Sequence, residues 1–143
     1  MDTTTVIESL ISSTHKMTRI AARSTGSSIS SALWSTLAVL ETDGPHRIGD
    51  LAKSARISQP GMTKLLQNLV EDKWVLRIAD TDDGRAWLIA ITPKGHDALL
   101  NWRRELAEAT TPMFDDLSES DWRVLEQATR ILTARVDAAT VAI

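Results

Sequence analysis

A mainly α-helical chain with one small β-hairpin near its middle is the fold class that these 143 residues predict. Apolar residues recur at three- and four-residue spacing over most of the length, the period of an amphipathic helix. Two short alternating runs interrupt that pattern between Trp74 and Ile91, with six polar residues between them. Capping and turn-forming residues stand at the edges of these segments. A hydrophobic share of 43% and a charged share of 24% belong to an ordinary globular domain, and the length suits a single one. No apolar run approaches the ~20 residues that span a bilayer, and Met-Asp-Thr-Thr-Thr at the start lacks the basic and apolar regions of a secretory signal. A cytoplasmic location with no membrane partner is therefore the expectation. The chain contains no cysteine, which removes disulfides, thiolate catalysis and thiol-based sensing.

In chain order, Val6, Ile7, Leu10, Ile11, Met17, Ile20 and Ala21 form the first helical stripe, and Arg23 to Ser28 breaks it. A second helix from about Ser31 to Thr42 carries Leu33, Trp34, Leu37, Val39 and Leu40. Asp43-Gly44-Pro45 signals a turn. Arg47-Ile48 then suits a very short strand before Gly49 opens a helix from Asp50 to Ala55. After a break at Arg56-Ile57, Ser58 is an N-cap, its hydroxyl able to accept a first-turn amide. Pro60 is tolerated there because first-turn amides have no helical partner. Met62, Leu65, Leu66, Leu69 and Val70 make one apolar stripe, while Gln59, Thr63, Lys64 and Gln67 occupy the opposite face.

Two strands follow. Trp74, Leu76 and Ile78 alternate on one side of Trp74–Ala79, and Trp87, Ile89 and Ile91 on one side of Ala86–Ile91. Asp80 to Arg85 is the hairpin tip, with Gly84 available for positive φ. Thr92-Pro93 caps and starts a long helix with Leu99, Trp102 and Leu106 inward. Pro112 and the Leu117 region break it, and Ser118 to Asp121 has the spacing of a capping box with aspartate in place of glutamate. Trp122, Leu125, Leu132 and Val136 line the last helix. The tryptophans are expected mainly in the core: Trp74 and Trp87 under the hairpin, Trp34, Trp102 and Trp122 between helices.

Two short helices, a tight turn and a second helix with a hydrogen-bonding outer face describe a helix-turn-helix, and the hairpin after it is a wing. In this middle region the sequence resembles the MarR family of regulators. The resemblance covers nearly the whole chain and is strongest from Ile48 to Gly95. Leu51-Ala52 matches the family's first-helix pair. Ser58, Pro60, Thr63, Lys64 and Leu65 match its recognition-helix pattern, and Arg77, Asp80, Asp83, Arg85 and Ala86 its wing. Ile91-Thr92-Pro93-Lys94-Gly95 matches the closing motif. The sequence departs from the family at Arg56 and Lys73, where relatives carry glycine, and at Gly84, where many wings carry a second arginine.

The resemblance implies a winged helix-turn-helix flanked by N- and C-terminal dimerisation helices: residues 31–92 as the DNA-binding lobe, 1–30 and 93–143 as dimerisation helices. It implies a homodimer on double-stranded DNA, since two recognition helices must meet major grooves about 34 Å apart, and so a pseudo-palindromic operator. Gln59, Thr63, Lys64 and Gln67 are the expected base-reading residues, glutamine suiting adenine edges and lysine guanine acceptors. Ser58 and Lys53 are expected at phosphates, and Arg85 in the minor groove. Asp83 is expected to orient an arginine, with Arg77 as candidate partner. The net charge of −3 does not advertise a nucleic-acid partner, so the positive charge must be local. Between Arg47 and Arg77, six basic residues against three acidic ones leave an excess of +3.

By the same resemblance the protein is a repressor released by a small, aromatic or anionic ligand, for which His15, Arg19, Trp34 and Trp102 are candidates. No cofactor or metal is expected, and no enzymatic activity. His15, His46 and His96 have no ligand spacing, and Asp80, Asp82 and Asp83 fit neither an EF-hand nor a hydrolase site. The alternatives are a winged-helix protein-interaction module without DNA binding, or a metal-responsive regulator.

Overall fold

The computed structural model describes residues 1–26 and 30–141. Its elements run α1 (Thr3–Ser24), α2 (Ser31–Asp43), β1 (His46–Arg47), α3 (Ile48–Ala55), α4 (Gln59–Glu71), β2 (Val75–Ala79), β3 (Trp87–Ile91), α5 (Pro93–Thr110), a 3₁₀ turn (Thr111–Phe114) and α6 (Glu119–Val141). The fold is mainly helical with one small antiparallel sheet, as the spacing of apolar residues predicts. Helix α1 ends at Ser24, inside the expected Arg23–Ser28 break, of which Ser27 and Ser28 lie outside the described residues.

The chain forms two compact units, one from Met1–Gly26 with Glu105–Ile143 and one from Ser27–Arg104. The division falls within α5, some twelve residues beyond the expected edge of the lobe at residue 92. The reason is that α5 supplies the lobe with Leu99, which is fully buried, and with Ala98 and Trp102 packed against the same core. The rest of that core is Trp34, Leu37 and Leu40 from α2, Leu51 and Ala52 from α3, Met62, Leu66 and Leu69 from α4, and Val75 and Ile89 from the sheet.

The sheet order is β1-β3-β2. Val75 pairs with Ile91, Arg77 with Ile89 and Ala79 with Trp87, so these residues share one face; Leu76, Ile78, Leu88 and Ala90 share the other. Val75 and Ile89 are buried and Leu76 is exposed. The inner face of β2 is therefore the one that carries Arg77, not the Leu76–Ile78 side that its alternation suggests. Hydrophobicity was a poor guide because burial on the inner face does not extend out to Arg77 and Trp87. Trp87 is accordingly 57% exposed, not sealed under the wing. Trp122 also remains substantially exposed, meeting Phe114 at a ring separation of 6.1 Å.

Helix α3 starts at Ile48, two residues before the expected position, because the strand before it ends at Arg47. Three caps hold as their sequences predict. The Gly61 amide donates to Ser58 Oγ at 3.1 Å. The Gly95 amide donates to Thr92 Oγ1 at 3.0 Å. At α6, the Ser118 amide donates to Asp121 Oδ2 and the Asp121 amide to Ser118 Oγ, both at 3.1 Å, a reciprocal box.

Candidate nucleic-acid interface

The polar face of α4 is built by what lies behind it. Met62, Leu66 and Leu69 are completely buried, which orients α4 and leaves Gln59, Lys64 and Gln67 exposed on the other side. Gln59, Pro60, Thr63, Lys64 and Gln67 line one shallow surface concavity. Eight residues of helix separate Gln59 from Gln67, about 12 Å of rise, comparable to the width of a major groove. Thr63 donates its hydroxyl to the Gln59 carbonyl at 3.0 Å, so it presents a methyl group and acceptor lone pairs outward. Ser58 Oγ is occupied as an acceptor by the helix cap, leaving its O–H free to donate. At Gly61 a Cβ would come within 3.0 Å of that oxygen, so the absent side chain leaves the cap room. Lys53 is exposed in the last turn of α3.

The turn between α3 and α4 closes in left-handed geometry. Arg56 has φ 56°, and the Ile57 amide reaches back to the Ala52 carbonyl at 3.1 Å. Helix α4 ends in the same way: Lys73 has φ 62°, and the Trp74 amide donates to the Leu69 carbonyl at 2.9 Å. Two non-glycine residues thus occupy positions that favour glycine, at a cost of roughly 1 kcal/mol each.

From that turn the wing is clamped at its base. Thr92 donates its hydroxyl to the Lys73 carbonyl at 2.6 Å and its amide to the Trp74 carbonyl at 2.9 Å. A side chain at Gly95 would collide with that same Trp74 carbonyl, which is the physical reason for glycine in the closing motif. At the tip Arg85 is exposed, and its amide donates to Asp83 Oδ1 at 3.1 Å. Gly84 does not adopt a positive φ, and a side chain there would meet open space. The tip therefore closes through aspartate side chains and does not use glycine freedom.

Among the described residues Arg77 and Asp83 make no ion pair; Asp83 shapes the tip through the Arg85 backbone. The arginine–carboxylate pair of the wing is instead Arg47 with Asp80, at 2.7 Å. The Arg47 side-chain hydrogen bonds, helped by the Asp82 amide, hold the Asp80 carboxyl below the usual aspartate range. Asp80 is part of the wing motif, but nothing in the sequence joins it to a residue 33 positions earlier.

The ligand candidates fall into separate groups. Trp34 stacks on Trp102 at 4.7 Å between centroids and on Trp74 at 5.7 Å. The Trp34 Nε1 donor is buried and meets no acceptor among the described residues. His15 and Arg19 are exposed, one turn apart on α1 in the other unit. On the lobe, Glu41 accepts from Arg103 at 3.0 Å and stands 3.1 Å from His96 Nδ1. No helix among the described residues is long and apolar enough to cross a membrane.

Comparison with known proteins places this architecture. The MarR family model matches residues 29–87, the stretch that holds the helix-turn-helix and the wing as far as Trp87. A HTH-type transcriptional regulator of Mycobacterium bovis is 28% identical over 115 residues, 80% of either chain. A transcriptional regulator of Thermotoga maritima superposes with a TM-score of 0.68 at 20% identity, over 94% of this chain and 93% of that one. BpsR of Bordetella bronchiseptica, whose DNA binding is regulated by 6-hydroxynicotinic acid, superposes with a TM-score of 0.57 at 19% identity, over 90% and 92%. Matched stretch, relatives and fold agree: residues 29–87 match the MarR family model, and the chain is similar to HTH-type transcriptional regulators over most of its length.

Proposed function

We propose that two copies of this chain bind one pseudo-palindromic duplex site as a repressor, and that a small aromatic or anionic ligand releases it. The observation that carries the DNA reading is the two-sided helix α4: a sealed apolar face behind, a donor- and acceptor-rich face in front. Gln59, Thr63, Lys64 and Gln67 read base edges in the major groove. Ser58 and Lys53 bind phosphates and set the register. Arg85 enters the adjacent minor groove, where a narrow A·T-rich tract concentrates negative potential.

Support for the dimer comes from α1 and α6, whose Ile7, Ile11, Val124, Ile131 and Val136 are exposed. Exposed apolar side chains recurring along two helices are the kind of surface that an interface covers. A second copy is the occupant that a two-fold operator requires. For release, the precedent is BpsR and its hydroxynicotinic acid. A ligand that favours a spacing of the recognition helices unsuited to DNA shifts the population away from the bound form. On the lobe, Trp34 and Trp102 supply aromatic surface and a free indole donor; on α1, exposed His15 and Arg19 are a separate candidate group for an anion; a cytoplasmic setting fits this role.

Sequencing of duplex fragments enriched by the purified protein, with and without phenolic or nicotinic acids, tests the reading. An inverted-repeat motif that weakens when an acid is added is the expected result. Lys64→Ala and Arg85→Ala should each weaken binding about tenfold while the protein stays folded and dimeric. Failure to enrich any duplex at low salt leaves a protein-interaction module in its place, and overturns the proposal.

A further inference from the structure

We propose that the Arg47–Asp80 ion pair is a positioning device for DNA binding: it ties the tip of the wing to the start of α3, and so to the body that carries the recognition helix. This rests on the DNA-reading function above.

The wing needs such a tie. Strand β1 pairs with β3 only at Ile89 and Leu88, so beyond Leu88 the hairpin is a two-stranded ribbon. Ribbons of two strands are marginally stable in water, and this one carries Arg85 at its end. Among the described residues, no other side-chain hydrogen bond joins residues 80–86 to anything outside the hairpin.

The geometry shows how the tie is made. Arg47 pairs with Leu88, Leu88 with Ile78, and the Asp80 amide donates to the Ala86 carbonyl. By strand alternation Arg47, Leu88, Ala86 and Asp80 lie on one sheet face. The Arg47 side chain crosses the central strand and donates to Asp80 Oδ2 from Nε at 3.0 Å and from Nη2 at 2.7 Å. The other oxygen, Oδ1, accepts the Asp82 amide at 3.0 Å, so the same carboxylate shapes the tip turn. Asp80 is only 7% exposed, and a buried carboxylate without its partner is strongly disfavoured.

A second observation is independent of the wing. Arg47 is the N-cap residue of α3 and makes no side-chain cap bond. Serine, threonine, aspartate or asparagine is favoured at that position because each satisfies an orphan amide. The chain forgoes that stabilisation, and the arginine side chain is engaged on the wing instead.

Arg47→Ser separates the two roles, since it restores a capping residue to α3 while removing the tie. Amide exchange by NMR on the DNA-free protein reads the tie directly. The Asp82 and Arg85 amides should exchange about tenfold faster, those of Met62–Leu69 should be unchanged, and the melting temperature should not fall. On an enriched duplex, Arg47→Ser should bind about tenfold more weakly and lose hydroxyl-radical protection at the flanking minor grooves. Protection of guanine N7 from dimethyl sulfate beneath α4 should persist. Arg85→Ala should add nothing to Arg47→Ser, Arg47→Lys should recover part of the affinity, and Asp80→Asn should reproduce Arg47→Ser. Unchanged tip exchange in Arg47→Ser, or equal loss of protection at both grooves, overturns the proposal. If the parent protein binds no duplex, the functional reading fails by itself, and the exchange rates still decide whether the pair holds the wing.

Discussion

In Ser27–Arg104 the large apolar side chains close on one another: Leu37, Met62, Leu66, Leu69, Ile89 and Leu99 are completely sealed. In Met1–Gly26 and Glu105–Ile143, the same residue types at the same helical spacing stay open, with Ile11 and Val124 each 65% exposed. Neither composition nor periodicity distinguishes these regions. What differs is whether partner surfaces lie within the unit. Four helices and a sheet contribute to the core of the lobe, whereas among the described residues α1 and α6 leave Ile7, Ile11, Val124 and Ile131 exposed. One region is a finished core, and the other leaves its apolar side chains exposed.

The sharpest break of this contrast is Leu66→Ala, which should destabilise the lobe by about 3 kcal/mol through lost transfer energy and a residual cavity. Its melting temperature should fall by the same amount at every protein concentration, read by circular dichroism. Ile131→Glu is the counterpart in the terminal unit. On a truly open face it would be neutral to within about 0.5 kcal/mol. On a face covered by a second copy it should weaken self-association at least tenfold, about 1.4 kcal/mol, seen by analytical ultracentrifugation as a shift to monomer.

Smaller effects sharpen the picture of the lobe. Arg56→Gly relieves a left-handed non-glycine residue and should raise stability by about 1 kcal/mol, measured by urea titration. Acid should act weakly and on both regions. Hydrogen bonds from the Arg47 side chain hold the Asp80 carboxyl below its ordinary value, and those from Ser118 do the same for Asp121. A depressed carboxyl contributes its stabilisation above the unfolded value of about 3.9 and loses it as pH falls through the folded value. Between pH 5 and 8 neither contribution should change. Below about pH 4, amide exchange at Asp82 and Ser118 should accelerate together.

Local chemistry made much of this molecule legible from its residues. Ser58, Thr92 and the Ser118–Asp121 pair announce helix starts because their partners are three residues away, and short-range hydrogen bonds need no knowledge of the fold. The stripe from Met62 to Leu69 likewise places Gln59, Lys64 and Gln67 on the outer face, since a helix admits only one opposite side. Tertiary structure alone decided the rest. Trp87 has the alternation of a core residue and stands in the open because the core ends short of it. Leu76 and Val75 are equally apolar, and only the packing of the sheet determined which of them was buried. The partner of Asp80 was beyond reach of any local rule: Arg47 is 33 residues away, and pairing of β1 with β3 is what brings it near. Short-range contacts depend on which residues are neighbours in the chain, while long-range ones depend on where the chain returns, and that is settled only when the whole lobe packs.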